Sequence, residues 1–342
     1  MIIQQHAYPR AGLIGNPSDG YFGKTMAFTF QNFRVEVTLY ETPELEILPN
    51  TRDHSRFDSI AGLAGDVRRF GYYGGIRLLK AAVKRFYDHC NEQGIALHDR
   101  NFTLRYQSDI PHLVGLAGSS AIITACLRAL MAFYGVTIPK PELANVVLAV
   151  EKDELGIAAG LQDRVAQVYQ GLVFMDFDED LMKRQGYGYY EPVPVRLLPP
   201  LYIAYRRELS EVSGVYHDTM RHRFRNGDPE VLAAIANWKT MTDDFYRALR
   251  DGDVDAMNRL LDANFDQRLA LGRVSEGNRD MVRRARATGA SAKFTGSGGA
   301  IIGIYKDEAM LGALREALAP DGIEVIVPEV APPVAEEVVH GA

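Results

Sequence analysis

Pro111-His112-Leu113-Val114-Gly115-Leu116-Ala117-Gly118-Ser119-Ser120-Ala121 joins a glycine-rich turn to an abrupt helix start. Gly115 and Gly118 let the backbone take conformations closed to other residues and come close to a ligand, while Ser119 and Ser120 are good helix-capping residues. Ile122, Ile123, Cys126, Leu127, Leu130 and Tyr134 then recur at helical spacing. The first turn of such a helix has N–H groups without intrahelical partners and carries partial positive charge, so it suits a phosphate. A hydroxyl at that turn can also reach a metal ion. The same residues are ordinary turn and cap vocabulary, and the rest of the chain has to decide between the two.

Asn101 to Gln107 alternates as a strand and delivers the chain to Pro111, which places the candidate cradle in a strand–turn–helix context. Upstream, Thr51 to Asp66 is polar and loop-rich, and Tyr72-Tyr73-Gly74-Gly75 leads into a helix with Ile76, Leu78, Leu79, Ala82, Val83 and Phe86 on its apolar side. Downstream, Pro141 to Leu155 reads as a helix with Leu143, Val146, Val147 and Val150 facing inward. It finishes in Glu151-Lys152-Asp153-Glu154, a charge run of the kind that usually marks a solvated helix end. The small, flexible stretch Gly156 to Arg164 follows and ends in two charges. Asp163 there stands at the entrance to packed structure, where it can accept a proton from a hydroxyl or serve as a helix cap. Val165 to Tyr169 is a helix or strand, and Gly171 to Met175 reads as a buried strand.

Near the N-terminus, Gly23-Lys24-Thr25 imitates the end of a P-loop, but the first glycine of G-x-x-x-x-G-K-[ST] falls on Ser18, and the chain continues as a strand. Phe28, Phe30, Phe33, Val35, Val37 and Leu39 alternate as a strand pair turning near Gln31-Asn32. The preceding glycine-rich stretch is therefore expected to be a loop from which Arg10, Asn16, Asp19 and Lys24 project, a set suited to a polar small molecule. Asn-Pro-Ser-Asp-Gly is also common turn chemistry.

Pro199-Pro200 marks the expected domain boundary, dividing the chain into residues 1–198 and 199–330. Leu201 to Tyr205 is a short strand, and Val215 to Arg225, Pro229 to Asp251 and Asp253 to Leu269 are successive amphipathic helices. Ala292-Lys293-Phe294-Thr295-Gly296-Ser297-Gly298-Gly299-Ala300 is a second backbone-exposing loop before the apolar strand Ile301 to Tyr305. It lacks the last glycine of G-x-G-x-x-G, which disfavours a dinucleotide fold. The Pro- and Glu-rich tail from Pro328, residues 331–342 above all, is expected to be loosely ordered.

The 342 residues are 47% hydrophobic, enough for two cores, and the net charge of −6 comes without any basic block, which argues against a nucleic-acid partner. Cys90 and Cys126 are far apart and predict buried thiols in a reducing compartment. No segment reads as a signal peptide or a membrane span, so the expected setting is cytoplasmic and without a membrane.

Three motifs in order carry a resemblance to the GHMP kinase superfamily: Arg10 to Asp19, Pro111 to Ala121 and Thr295 to Ala300. The likeness runs from about Pro9 to Pro328, and the second motif departs in having Ala117 where the family usually has glycine. The resemblance implies an α+β, two-domain fold, with a ribosomal S5 domain 2-like N-terminal domain and a ferredoxin-like C-terminal domain, and ATP and Mg2+ as cofactors. It gives Gly115, Leu116, Ala117, Gly118, Ser119, Ser120, Ala121, Gly296, Ser297 and Gly298 to ATP, Ser120 and Glu151 to Mg2+, and Asp163 to orienting or deprotonating the acceptor. Arg10 and Asp19 match sugar-contacting positions, while Asn16-Pro17 departs from the Glu-His of galactokinases. Within the superfamily, Leu-Ile-Gly-Asn-Pro-Ser-Asp-Gly-Tyr-Phe-Gly-Lys-Thr, Tyr-Tyr-Gly-Gly-Ile-Arg-Leu-Leu and Gly-Leu-Gln-Asp-Arg-Val-Ala-Gln-Val-Tyr are similar to the glucuronokinases. That points to phosphorylation of the anomeric hydroxyl of D-glucuronate, with Arg10, Lys24, Arg164 and Lys293 as candidate partners for its carboxylate and the two arginines better shaped for it. The alternatives are a kinase for arabinose, fucose, galactose or a heptose, and a catalytically silent sugar sensor.

Overall fold

The computed structural model describes residues 1–49, 74–206, 214–272 and 274–334, without the side chains of 214–219. The loop-rich stretch expected at Thr51 to Asp66, the Tyr72-Tyr73 pair and residues 335–342 lie outside the described residues.

Among the described residues eight strands build the first half: β1 (Ile2–Ala7), β2 (Arg10–Ile14), β3 (Lys24–Thr29), β4 (Val35–Thr42), β5 (Glu46–Ile47), β6 (Asn101–Ser108), β7 (Leu172–Asp176) and β8 (Tyr189–Val193). They form two four-stranded sheets, β1-β4-β6-β5 and β2-β3-β7-β8. In β4 the alternation Val35, Val37, Leu39 buries one face, as a period of two requires. β2, β3 and β7 are buried along nearly their whole length and carry runs with little polar relief. Arg10, expected on a loop, is thus the first residue of a buried strand, and its guanidinium is held in place by that strand.

Among the described residues the helices of this half are α1 (Gly75–Glu92), α2 (Gly118–Tyr134), α3 (Lys140–Ala149), α4 (Gln162–Tyr169) and α5 (Glu179–Gln185). α2 packs against α1, β1 and β4, and its Ile123, Cys126, Leu127 and Leu130 are fully buried. Truncating one such leucine to alanine costs about 2–5 kcal/mol. The helix expected to run to Leu155 ends as α-helix at Ala149 and passes into a single π-helical turn, Val150–Glu154. Turns of this kind are uncommon and gather at functional sites. The turn points Glu151 inward, where it is 1% exposed, and leaves Lys152 and Asp153 in solvent, so the charge run is not a uniformly solvated end.

The second half contains β9 (Leu201–Arg206), α6 (Gly214–Arg225), α7 (Pro229–Asp251), α8 (Val254–Leu271), α9 (Glu276–Ala287), β10 (Lys293–Phe294), β11 (Ala300–Ile304), α10 (Glu308–Leu318) and β12 (Ile323–Ile326). Its antiparallel sheet has the order β10-β11-β9-β12. The start and stop of α7 follow from local chemistry: Asp228 accepts from the amides of Glu230 and Val231, Pro229 opens the helix, and Gly252 leaves it at φ 72°. Pro199-Pro200 lies between β8 and β9, yet Leu201, Ile203 and Phe245 pack into the same core as the first half.

The described part of the C-terminal tail is tied down. Gln31 N donates to Glu329 O at 2.8 Å, Ala331 N to Thr29 O at 2.8 Å, and Val334 N to Tyr169 O at 2.9 Å. Residues 329–334 therefore lie against the first half, where low hydropathy alone predicts loose chain.

Candidate active site

The three glycine-rich motifs converge. Thr295 Oγ1 donates to Gly115 O at 3.2 Å, Gly12 N to Thr295 O at 2.7 Å, and Arg10 N to Leu116 O at 3.1 Å. Gly115 sits at φ 75° with Gly298 O so close that a Cβ would lie 2.6 Å from it, so only glycine fits both the conformation and the contact. Ala117 holds the same left-handed conformation, φ 60° and ψ 45°, at roughly 1–2 kcal/mol. Its carbonyl accepts from Gln167 Nε2 at 2.9 Å and Ser120 Oγ at 3.2 Å, which holds the strained turn in place. α2 starts one residue later, at Gly118, four residues ahead of the periodic apolar run, so Ser119 and Ser120 belong to its first turn.

The two serines face different partners. Ser119 Oγ donates to Glu151 Oε1 at 2.8 Å, whereas the fully buried Ser120 turns its hydroxyl back to Ala117 O. Arg164 seals the other carboxylate oxygen: Nε donates to Glu151 Oε2 at 2.7 Å and Nη2 makes a second, shorter contact with the same oxygen. Arg164 Nη1 reaches Asp163 Oδ2 at 3.2 Å and Gly160 O at 2.9 Å, so all three guanidinium nitrogens are engaged. Burial penalises the Arg164 cation, but Glu151 and Asp163 outweigh this and raise its pKa.

Arg10 Nε donates to Asp163 Oδ1 at 2.5 Å and Nη1 to Gly115 O at 2.7 Å. Asp163 thus accepts from a guanidinium on each oxygen. Burial alone would raise its pKa, and Arg10 and then Arg164 reverse that and hold it below the usual carboxylate range. Asp19, on the 3₁₀ turn Ser18–Tyr21, comes close by: its Oδ2 accepts from the amide of Gln162 at 3.3 Å, and a Cβ at Gly160 would fall 2.1 Å from that oxygen. Burial, and next the negative charge of Asp163, push Asp19 up to about 6.

Arg10, Asp19, Asp163, Arg164, Glu151 and the Gly115–Ala121 turn are therefore brought together, with Gly296 against Arg10. Other candidates are occupied elsewhere. Lys24 is paired with Asp243 at 2.9 Å and Asp176 at 3.4 Å. Asn16 is buried, accepts from Lys293 Nζ at 2.6 Å and is bonded through its backbone carbonyl to Asn264. Lys293 is fully buried and also donates to Gly12 O and Phe294 O, joining the first motif to the third. Desolvation lowers its pKa well below the ordinary lysine value. Three contributors escape sequence reasoning: Gln167, Gly160, and Arg268, which holds Gly296 O and Ser297 O at 2.7 and 2.9 Å and lies over the Phe294 ring.

The donor set suits a hard cation with few protein ligands. A carboxylate and a hydroxyl, Glu151 and Ser119, meet at a helix N-terminus that can hold phosphate. Among the described residues no cluster of three or more His, Cys, Asp or Glu could hold a metal by itself. Mg2+ binds through one or two protein oxygens and takes the rest from phosphates and water, which this arrangement fits.

Residues 77–171 match the family described as GHMP kinases N terminal domain, and residues 245–322 match GHMP kinases C terminal. The chain belongs to the GHMP kinase family, whose members use ATP. It is 44% identical over 308 residues to probable glucuronokinase 2 of Arabidopsis thaliana, covering 88% of this chain and 84% of that one. Glucuronokinase 1 of the same plant is 42% identical over 306 residues, with the same coverage. In fold it is similar to Lactococcus lactis galactokinase complexed with galactose, with a TM-score of 0.76 at 17% identity over 96% of this chain and 93% of the other. The two-domain α+β fold of this family is therefore the fold of this chain.

Proposed function

We propose that this chain is a glucuronokinase, transferring the γ-phosphoryl group of ATP to the anomeric hydroxyl of D-glucuronate to give glucuronate 1-phosphate. The substrate comes from the likeness to glucuronokinases over most of the chain. The observation that carries the chemistry is the hydrogen-bonded chain Ser119–Glu151–Arg164–Asp163–Arg10, which runs from the phosphate turn to the acceptor-side carboxylate. The backbone amides of Gly115–Ala121 hold the phosphates, aided by the Gly296–Gly298 loop. Asp163 fixes the acceptor hydroxyl in line. Mg2+ held by Glu151 and a serine hydroxyl of the first turn, Ser119 or Ser120, would neutralise charge that builds on the transferred group.

For the sugar carboxylate, Arg10 is the better partner. Arg164 has no nitrogen left, whereas Arg10 keeps Nη2 without a hydrogen bond among the described residues. Two buried free thiols fit a reducing, cytoplasmic setting, and among the described residues no helix is long and apolar enough to cross a membrane.

The test is ADP release by the purified protein with ATP, Mg2+ and a panel of sugars. Glucuronate is expected to exceed glucose, galactose and arabinose at least about tenfold in kcat/KM, since a neutral sugar leaves the cation unmatched. Faster turnover of a neutral sugar refutes the substrate. No turnover of any sugar refutes the enzyme and favours the sensor.

A further inference from the structure

We propose that Arg268 is a positioning residue for phosphoryl transfer: from α8 it turns two peptide units of the third motif so that the amides of Ser297 and Gly298 face the terminal phosphate of ATP. The inference rests on the kinase reading above and names the residue that sets the direction of that loop's donors.

Arg268 Nη1 donates to Gly296 O at 2.7 Å and Nη2 to Ser297 O at 2.9 Å. Both peptide units are trans, so in each the N–H points opposite to the carbonyl of the same unit. Drawing the Gly296 and Ser297 carbonyls onto one guanidinium therefore turns the Ser297 and Gly298 amides away from it. The planar fork of arginine suits two successive carbonyls, and the Phe294 ring, with its centroid 4.9 Å from the guanidinium carbon, fixes the plane of the fork. Residues 296–298 are half-buried, and the amides of Gly296, Ser297 and Gly298 have no acceptor among the described residues. Gly299 differs: its amide donates to Asn278 Oδ1 at 3.2 Å and its carbonyl accepts from Arg206 N at 3.2 Å. Protein groups thus hold the back of the loop, and the front is left with donors.

The loop abuts both sides of the site. A Cβ on Gly115 would lie 2.6 Å from Gly298 O, in the turn that holds the nucleotide, and a Cβ on Gly296 would lie 2.8 Å from Nη2 of Arg10, the arginine paired with Asp163. Amides aimed at that junction meet the transferred group and not the inner phosphates. Asn264 stands four residues before Arg268 and so on the same face of α8, where it accepts from Gly15 N at 2.8 Å and donates to Asn16 O at 3.0 Å. One helix face therefore sets the register of the first motif as well as that of the third.

The test is amide NMR of 15N-labelled protein with Ser297 and Gly298 assigned, titrated with a non-hydrolysable ATP analogue, with ADP and with glucuronate, each with Mg2+, alongside kinetics of Arg268→Gln and Arg268→Lys. In wild type both amides are expected to shift with the analogue and not with ADP, because only the analogue carries the terminal phosphate. Arg268→Gln should lose that response, bind the analogue at least about tenfold more weakly while ADP affinity stays within a few-fold, and lower kcat by about 10²-fold. Arg268→Lys keeps the charge and can hold one of the two carbonyls, so it should fall between wild type and Arg268→Gln. Should Arg268→Gln fail to fold, the wild-type titration and Arg268→Lys decide. Equal responses to ADP and the analogue, a response to glucuronate alone, or none at all overturns the proposal. Equal losses of ADP and analogue affinity in the variants, or wild-type kcat in Arg268→Gln, does so as well. If wild type turns over no sugar, the kinase reading fails, and the amide titration with the analogue and ADP still decides the role of Arg268.

Discussion

Arg10 and Asp163 lie 153 positions apart in the chain, and a hydrogen bond of 2.5 Å from Nε to Oδ1 joins them. Their side chains are 6% and 19% exposed, so the pair is largely shielded from solvent. It ties the first motif to the helix that follows the irregular Gly156–Gly160 stretch, and the same arginine holds the carbonyl of Gly115 in the phosphate turn. One guanidinium thus registers the acceptor side of the site against the nucleotide side.

Asp163→Asn is accordingly expected to lower kcat by about 10²- to 10⁴-fold while ATP binding, measured by calorimetry, stays within a few-fold of wild type. The lost charge acts on the acceptor and on Arg10, and the phosphate turn keeps its backbone contacts. Wild-type kcat in this variant would reduce Asp163 to a structural cap.

Glu151→Gln should raise the Mg2+ concentration needed for half-maximal rate, lower kcat, and lower the melting temperature. The last effect follows because Arg164 is left buried without its full counter-charge, at a cost of about 3–5 kcal/mol. Glu154→Gln removes only a solvent-screened pair with the 60% exposed Lys84 and should leave Mg2+ dependence unchanged. Ser119→Ala and Ser120→Ala separate the two hydroxyls. The variant whose Mg2+ curve follows that of Glu151→Gln identifies the ligand, and equal curves for Glu151→Gln and Glu154→Gln would remove Glu151 from the metal site.

Asp19 makes a stability prediction with a definite sign. Its folded-state pKa, about 6, lies above the unfolded value of 3.8, so folding favours the protonated form. The group therefore weighs against the fold at pH values above 6, and this penalty fades as pH falls toward 4. Asp19→Asn should raise the urea midpoint at pH 8 by an amount equivalent to up to about 3 kcal/mol, with the gain shrinking at pH 5. A gain that is constant with pH would mean that Asp19 titrates normally.

Lys293→Met keeps the volume of the side chain and removes its donors. Gly12 O, Asn16 Oδ1 and Phe294 O then lose a partner, and unfolding should become easier by about 2 kcal/mol or more. Unchanged denaturant midpoints would show that water replaces the ammonium at this junction.

Much of this architecture can be read from periodicity and caps. The apolar spacing of Ile122 to Tyr134, the Asp228-Pro229 opening and Gly252 ending of α7, and the alternation in β4 all depend on neighbours in sequence. α9 and α10 were readable by the same signals, Ser275 and Asp307 as caps and Leu311, Leu314 and Leu318 at helical spacing, although they carry no motif. The chemistry of the site was legible as residue types but not as pairings. Nothing local says that Arg164 turns to Glu151 in place of the substrate, since that pairing needs the π-helical turn at Val150–Glu154 to rotate Glu151 inward. Nor does spacing tell Ser119 from Ser120, because neighbouring helical positions differ by about 100° in direction. Lys24 and Lys293 read as candidate partners of a sugar carboxylate until Asp243 and Asn16, more than two hundred residues away in each case, are brought beside them.

The return of residues 329–334 to Thr29, Gln31 and Tyr169 bears on how the chain is made. A ribosome releases the N-terminal half first, with its sheets and phosphate turn complete in sequence. The backbone partners of Thr29 O and Gln31 N emerge about three hundred residues later, as does the Val330 bridge to Phe30. Until then Thr29 O and Gln31 N lack the backbone partners they have in the finished fold. Synthesis of residues 329–334 is thus what pairs this margin of the first half.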